Sequence, residues 1–132
     1  MTIIEILLTR GHAVIIAGHS ECGGVGASLK AVQSGGSPDR TLPEYPASYP
    51  LNQWLAPLTE FVATLGDSVL KKPFEEALQI VVEANVKRQV EHLSKAAVIA
   101  KAEKEVWVHG WVHDLATGRL RDLGISRRVA AL

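Results

Sequence analysis

The chain has 132 residues, of which 47% are apolar and 21% are charged. This length and composition are typical of a globular chain with one hydrophobic core and exclude a disordered one. A single domain over residues 1–132 is therefore predicted. Lys plus Arg and Asp plus Glu number 14 each, without a long run of either sign. This balance argues against a nucleic-acid partner, because nucleic-acid binding depends on clustered positive charge.

The cysteine content and the apolar segments predict the cellular compartment and whether a membrane partner is expected. One cysteine rules out an internal disulfide and is typical of a reducing compartment, so a cytoplasmic location is predicted, with import into an organelle left open. A membrane span requires about 20 consecutive apolar residues, and no segment reaches that length. No membrane partner is expected.

The first third of the chain predicts a helix, a strand and a second helix. Residues 2–10 are predicted to form a short helix, because Thr2 and Glu5 have capping-box spacing. Residues 13–17 form a continuous apolar run rich in β-branched side chains, which predicts a strand buried on both faces, as in parallel sheets. Residues 18–24 follow as a glycine-rich loop that leads into a helix over residues 25–32.

The middle of the chain predicts a loop and two helices. Residues 34–50 carry four prolines and are predicted to be a loop. Residues 51–65 have apolar side chains at helical spacing and end before Gly66. Residues 74–97 are predicted to form the longest helix.

The last third predicts a β-hairpin. Residues 106–113 have the alternating side-chain pattern that is typical of a strand. Residues 114–118 are predicted to form a turn that ends in glycine, and residues 119–123 are predicted to return as the partner strand. The predicted fold class is therefore α/β: a small sheet with a parallel strand and a C-terminal hairpin, flanked by helices.

The glycine-rich loop fails the tests for several phosphate-binding and nucleophile motifs. A P-loop spacing is present from Gly18 to Gly23, but Gly24 and Val25 stand where lysine and a hydroxyl residue are required. A dinucleotide fingerprint that starts at Gly24 ends on Leu29 instead of glycine. An anion bound at the N-terminus of the following helix stays open as an alternative.

The remaining motif is His19-x-x-Cys22, a candidate zinc half-site. Imidazole nitrogen and thiolate sulfur are preferred zinc donors, and both can face one point if the backbone turns sharply between them. Zinc takes four ligands, or three ligands and a water. The motif supplies two.

Four segments of the chain, in the same order, resemble the β-class carbonic anhydrases. Residues 13–25 are similar to the segment with that family's second set of zinc ligands. The other three are Glu83-Ala84-Asn85-Val86 with Gln89, Val108-His109-Gly110-Trp111, and Asp114-Leu115-Ala116-Thr117-Gly118-Arg119-Leu120. This ordered set covers most of the chain and is much more specific than His-x-x-Cys alone.

The resemblance implies a zinc enzyme that interconverts carbon dioxide and bicarbonate, with His19 and Cys22 as two metal ligands. The family's third ligand lies in an upstream Cys-x-Asp-Ser-Arg segment that also carries an aspartate–arginine pair. In this sequence no cysteine precedes Cys22 and no aspartate precedes Asp39. The chain therefore resembles an N-terminally truncated member with an incomplete zinc site, and little activity is expected of it alone. The alternatives are a catalytically silent homologue that serves as an oligomer partner or scaffold, and a longer gene product that contains the missing segment.

The resemblance also implies that the missing upstream segment contains the family's central strand, and the loss of this strand predicts association. Without it, the strand over residues 13–17 has an unpaired edge, and apolar edges favour pairing with another chain. A homodimer or larger homo-oligomer is expected, and a two-fold interface that joins two His19/Cys22 pairs is one hypothesis for a closed zinc site. His109 and His113 share a strand face with Trp107 and Trp111. They are predicted to pack in a core or an interface.

Overall fold

The computed structural model describes residues 13–102 and 104–130. In chain order the elements are β1 Ala13–His19, α1 Gly23–Gln33, α2 Pro50–Ala63, α3 Asp67–Leu70, α4 Phe74–Ser94, α5 Ala97–Ala100, β2 Val106–His113, β3 Leu120–Asp122 and β4 Arg127–Val129. Contacts divide the chain into two compact units. One consists of the chain up to Ser20 together with the chain from Glu83 onward, and the other is Glu21–Val82.

The first unit contains a mixed sheet built around β2. Strand β1 pairs with β2 in parallel, from Ala13 opposite Trp107 to His19 opposite His113. Strands β3 and β4 pair antiparallel with the two ends of β2. The predicted α/β class, the parallel strand and the C-terminal hairpin are confirmed, whereas β4 was not predicted.

The helices lie close to their predicted positions. Helix α1 begins two residues before the predicted range, and α2 begins at Pro50, whose fixed φ suits a first helical turn. Helix α4 carries Glu75 and Glu76 in its first turn, where acidic side chains interact favourably with the helix dipole. The predicted segment 74–97 is divided between α4 and α5. The helix predicted over residues 2–10 lies outside the described residues.

Strand alternation gives β2 one fully buried face. Val106, Val108 and Val112 are buried, and Gly110 occupies the fourth position on that side. A Cβ added to Gly110 would lie 2.6 Å from Cδ1 of Ile125 and 3.0 Å from Cγ2 of Val90. The side chains of Ile125 and Val90 therefore pack directly against the backbone of β2 at Gly110.

The core of the second unit contains polar side chains that are fully hydrogen-bonded. The Thr59 hydroxyl lies 2.9 Å from the Ser28 hydroxyl and 2.6 Å from the Thr41 hydroxyl, and all three residues are buried. Asn52, on the same helix as Thr59, is completely buried, and its side chain bonds only to backbone groups. Buried polar groups are tolerated when they are paired in this way.

The prediction that β1 is buried on both faces is wrong, because its even-numbered residues are only partly buried. Its odd-numbered residues are exposed, and Ile15 retains 45% of its accessible surface. Trp107, on the same face of β2, is 40% exposed. Parallel strands are buried on both sides only where a layer covers each side, and the described residues leave this face open.

No helix within residues 13–102 and 104–130 is both long enough and apolar enough to cross a membrane.

Candidate metal centre

The two predicted zinc ligands lie on either side of a sharp backbone turn. His19 is the last residue of β1, and Cys22 directly precedes α1. Between them, Glu21 has a φ of 55°, a left-handed conformation that is uncommon for residues other than glycine. The turn required by the His-x-x-Cys interpretation is therefore present. The boundary between the two compact units falls after Ser20, so His19 and Cys22 belong to different units.

The hydrogen bond of the His19 ring determines which nitrogen can bind a metal. Nδ1 of His19 lies 2.9 Å from the backbone oxygen of Ser20. Because a carbonyl oxygen only accepts hydrogen bonds, Nδ1 is the donor in this pair and carries the proton. Nε2 of the neutral ring then has a free lone pair. A metal-binding histidine typically has its second nitrogen held by an outer partner in this way.

Ser20 ties the end of β1 to the end of β2. Its backbone N–H donates to the carbonyl oxygen of His113 at 2.9 Å, and its hydroxyl accepts from the backbone N–H of Leu115 at 2.9 Å. These two bonds fix the loop that begins immediately after His19. The sequence did not predict this role, because it depends on a partner 95 residues away.

Cys22 is the N-cap residue of α1, but its side chain makes no capping hydrogen bond. Its carbonyl oxygen accepts from the N–H of Gly26 at 2.8 Å, which starts the helix. The thiol is free and half-buried, and no acidic residue lies in the first helical turn. The N-terminus of a helix favours negative charge, so the position suits a thiolate donor.

His109 has the packing environment predicted for it. Its Nδ1 lies 2.7 Å from the hydroxyl of Ser126. Its ring stacks on Trp107 at a centroid distance of 6.0 Å and contacts Trp111 at 6.3 Å. The imidazole is held on both sides and is a poor candidate for a metal ligand.

Comparison with known proteins gives the family. A protein-family model described as carbonic anhydrase matches residues 7–120. The chain belongs to the β-class carbonic anhydrase family. The resemblance stated from the sequence is therefore confirmed.

Individual β-class relatives agree with this assignment. The chain is 31% identical over 131 residues to a carbonic anhydrase of Candida albicans, an alignment that covers 94% of this chain and 40% of that protein. It superposes on the crystal structure of a β-carbonic anhydrase of Aspergillus fumigatus with a TM-score of 0.68 and 28% identity, covering 89% of this chain and 51% of that one. A Coccomyxa β-carbonic anhydrase gives a TM-score of 0.76 at 20% identity, covering 97% and 54% of the two chains, and supports the fold alone. The chain thus spans about half the length of these relatives or less.

The two predicted zinc ligands of this β-class carbonic anhydrase chain are of the right chemical type for zinc. His19 offers an imidazole nitrogen and Cys22 a sulfur, which are both common zinc ligands. Within the described ranges, no group of three or more His, Cys, Asp or Glu side chains is placed to hold one ion. Because zinc requires at least three protein ligands in a catalytic site, the described part of one chain does not complete the centre.

Proposed function

We propose that this chain provides the histidine–cysteine part of a β-class carbonic anhydrase centre, with His19 and Cys22 as zinc ligands. The reaction is the reversible hydration of carbon dioxide to bicarbonate. Zinc in such a centre supplies the Lewis acidity that makes water a nucleophile at neutral pH. The observation that carries the proposal is the His19 ring, whose Nδ1–H donates to the Ser20 carbonyl and leaves Nε2 available.

The remaining donors are proposed to come from outside the described residues of one chain. The sequence contains one cysteine, which accounts for one sulfur ligand. The 132-residue chain alone is therefore proposed to hydrate carbon dioxide poorly. The single cysteine also favours the cytoplasm as the location.

Substitution of either ligand tests the proposal directly. His19→Ala and Cys22→Ser are each expected to lower zinc affinity by roughly tenfold or more, since removal even of an outer-shell partner costs that much at zinc sites. Competition with a chromophoric zinc chelator measures the change. His92→Ala is the matched control, because His92 is exposed in the last turn of α4, and it should bind zinc like the unaltered chain. Unchanged affinity in both ligand variants contradicts the proposal.

A second candidate function, a catalytically silent homologue acting as oligomer partner or scaffold, is favoured by the open side of the sheet. Among the described residues, β1 pairs only with β2, so its other edge is free. Ile15 and Trp107 add exposed apolar surface to the adjoining face. Uncharged edge strands favour pairing between chains, which supports a homodimer or larger assembly. A strictly monomeric protein at micromolar concentration in sedimentation velocity contradicts this candidate.

A further inference from the structure

Strands β1 and β2 both end in histidine, and the sheet register pairs these residues. His19 lies directly opposite His113 in the parallel ladder. Neighbouring strands lie about 4.8 Å apart, and residues opposite each other project from the same face of a sheet. Val106, Val108 and Val112 occupy the buried face of β2, so alternation places His113 on the other face, together with His19. Two imidazoles therefore project side by side at one end of the sheet.

The backbone holds this pair in a fixed arrangement. The N–H of Ser20 donates to the carbonyl of His113 itself, and the Ser20 hydroxyl accepts from Leu115 two residues beyond. These bonds link the residue after His19 to His113 and to Leu115. The strand ends are consequently fixed before any ligand binds, which lowers the ordering cost of chelation.

The two rings also have nitrogen atoms available. Nδ1 of His19 is occupied by the Ser20 carbonyl, so Nε2 is the free donor. Among the described residues, no hydrogen bond or ring contact engages the His113 side chain, which is half-buried. His109, four residues earlier on the same face, differs because Ser126 and two tryptophans hold its ring.

We infer that His19 and His113 form a two-imidazole binding site for a divalent transition-metal ion. Imidazole pairs suit Zn²⁺, Co²⁺, Ni²⁺ and Cu²⁺ and discriminate against Mg²⁺ and Ca²⁺, which prefer oxygen ligands. With two protein donors the ion keeps water in its other positions, so the binding is of moderate strength. The site does not rest on the proposed function, because it requires no contribution from Cys22.

Nickel binding to full-length chains in a Cys22→Ser background tests the inference, because this background removes the thiolate. Isothermal titration with Ni²⁺ is expected to show one ion per chain. Adding His113→Ala should weaken binding by roughly tenfold or more, whereas adding His92→Ala should leave it unchanged. Circular dichroism of each variant verifies that the fold is retained. As an independent measurement, substoichiometric Ni²⁺ in the Cys22→Ser chain should broaden the NMR signals of the His19 and His113 rings before those of His92.

Two results would overturn the inference. One is Ni²⁺ affinity that His113→Ala leaves intact in a folded chain. The other is loss of all Ni²⁺ binding in Cys22→Ser itself, which would make Cys22 the second donor to His19. This second outcome leaves the proposed carbonic anhydrase site standing, so the two failures are distinguishable.

Discussion

Replacing Gly110 with valine is expected to lower the free energy of unfolding by about 3 kcal/mol. A Cβ at this position would lie 2.6 Å from Cδ1 of Ile125 and 3.0 Å from Cγ2 of Val90, and valine adds two methyl groups beyond it. Gly110 lies within β2, which pairs with β1 from Trp107 to His113, so the backbone cannot move away without disturbing the sheet. Chemical denaturation followed by circular dichroism measures the change.

Two further variants separate overcrowding from a general effect of losing glycine. Gly23→Ala is the control, because a Cβ there meets no atom within 4 Å and alanine has the higher helix propensity. It should be neutral or slightly stabilising. Adding Ile125→Val to Gly110→Val removes the closest atom, Cδ1, and should recover part of the lost stability. If the Gly110→Val protein is as stable as the parent, the core is not tightly packed against Gly110.

Replacing Asn52 with alanine is expected to lower the free energy of unfolding by about 3 kcal/mol, because it removes four hydrogen bonds made by a completely buried side chain and leaves their part-buried backbone groups without this partner. The Asn52 side-chain oxygen accepts from the N–H of Leu42 at 2.8 Å. Its amide nitrogen lies 3.0 to 3.3 Å from three carbonyl oxygens, those of Leu42, Tyr45 and Pro46. One side chain thus fastens the proline-rich segment to α2. The variant should also become sensitive to proteolysis between residues 42 and 46.

Gln53→Ala provides the matched comparison for Asn52→Ala. Gln53 is the next residue of α2 and is exposed, so its truncation should change the stability by less than about 0.5 kcal/mol. The denaturant midpoints and the rates of limited proteolysis are compared between the two variants. Equal stability of the two variants contradicts the role assigned to Asn52.

The extent to which the sequence predicts this fold follows from the strength of its local patterns. Strand β2 alternates over eight residues and is followed by a turn with glycine at its end, so the hairpin with β3 was predictable. Strand β4 has three residues, two of them arginines. That segment is too short to show a period, and its pairing with β2 depends on tertiary structure.

The burial of polar core residues could not be predicted from the hydrophobic pattern, for a different reason. Asn52 and Thr59 lie on the buried side of α2, where helical periodicity favours apolar side chains. Their burial is stabilised by partners such as Leu42 and Ser28, which lie in other segments. Polar residues are usually interpreted as surface, and only the fold reveals such partners.

The candidate site, too, could be predicted from the sequence only in part. The type and spacing of His19 and Cys22 identified them in the sequence, because zinc chemistry restricts the choice of donors. The tautomer of His19, the role of Ser20 and the pairing of His19 with His113 all depend on strand register. Hydrophobic pattern alone does not determine register between distant strands.

The most direct test of the central claim is to measure zinc content and carbon dioxide hydration on one sample of the purified 132-residue chain. Stopped-flow detection of proton release gives the rate, and elemental analysis after gel filtration gives the zinc-to-chain ratio. Because one chain is proposed to supply two of the zinc ligands, we predict less than one zinc per chain and a rate close to that of buffer. One tightly held zinc per chain together with rapid hydration would contradict the account.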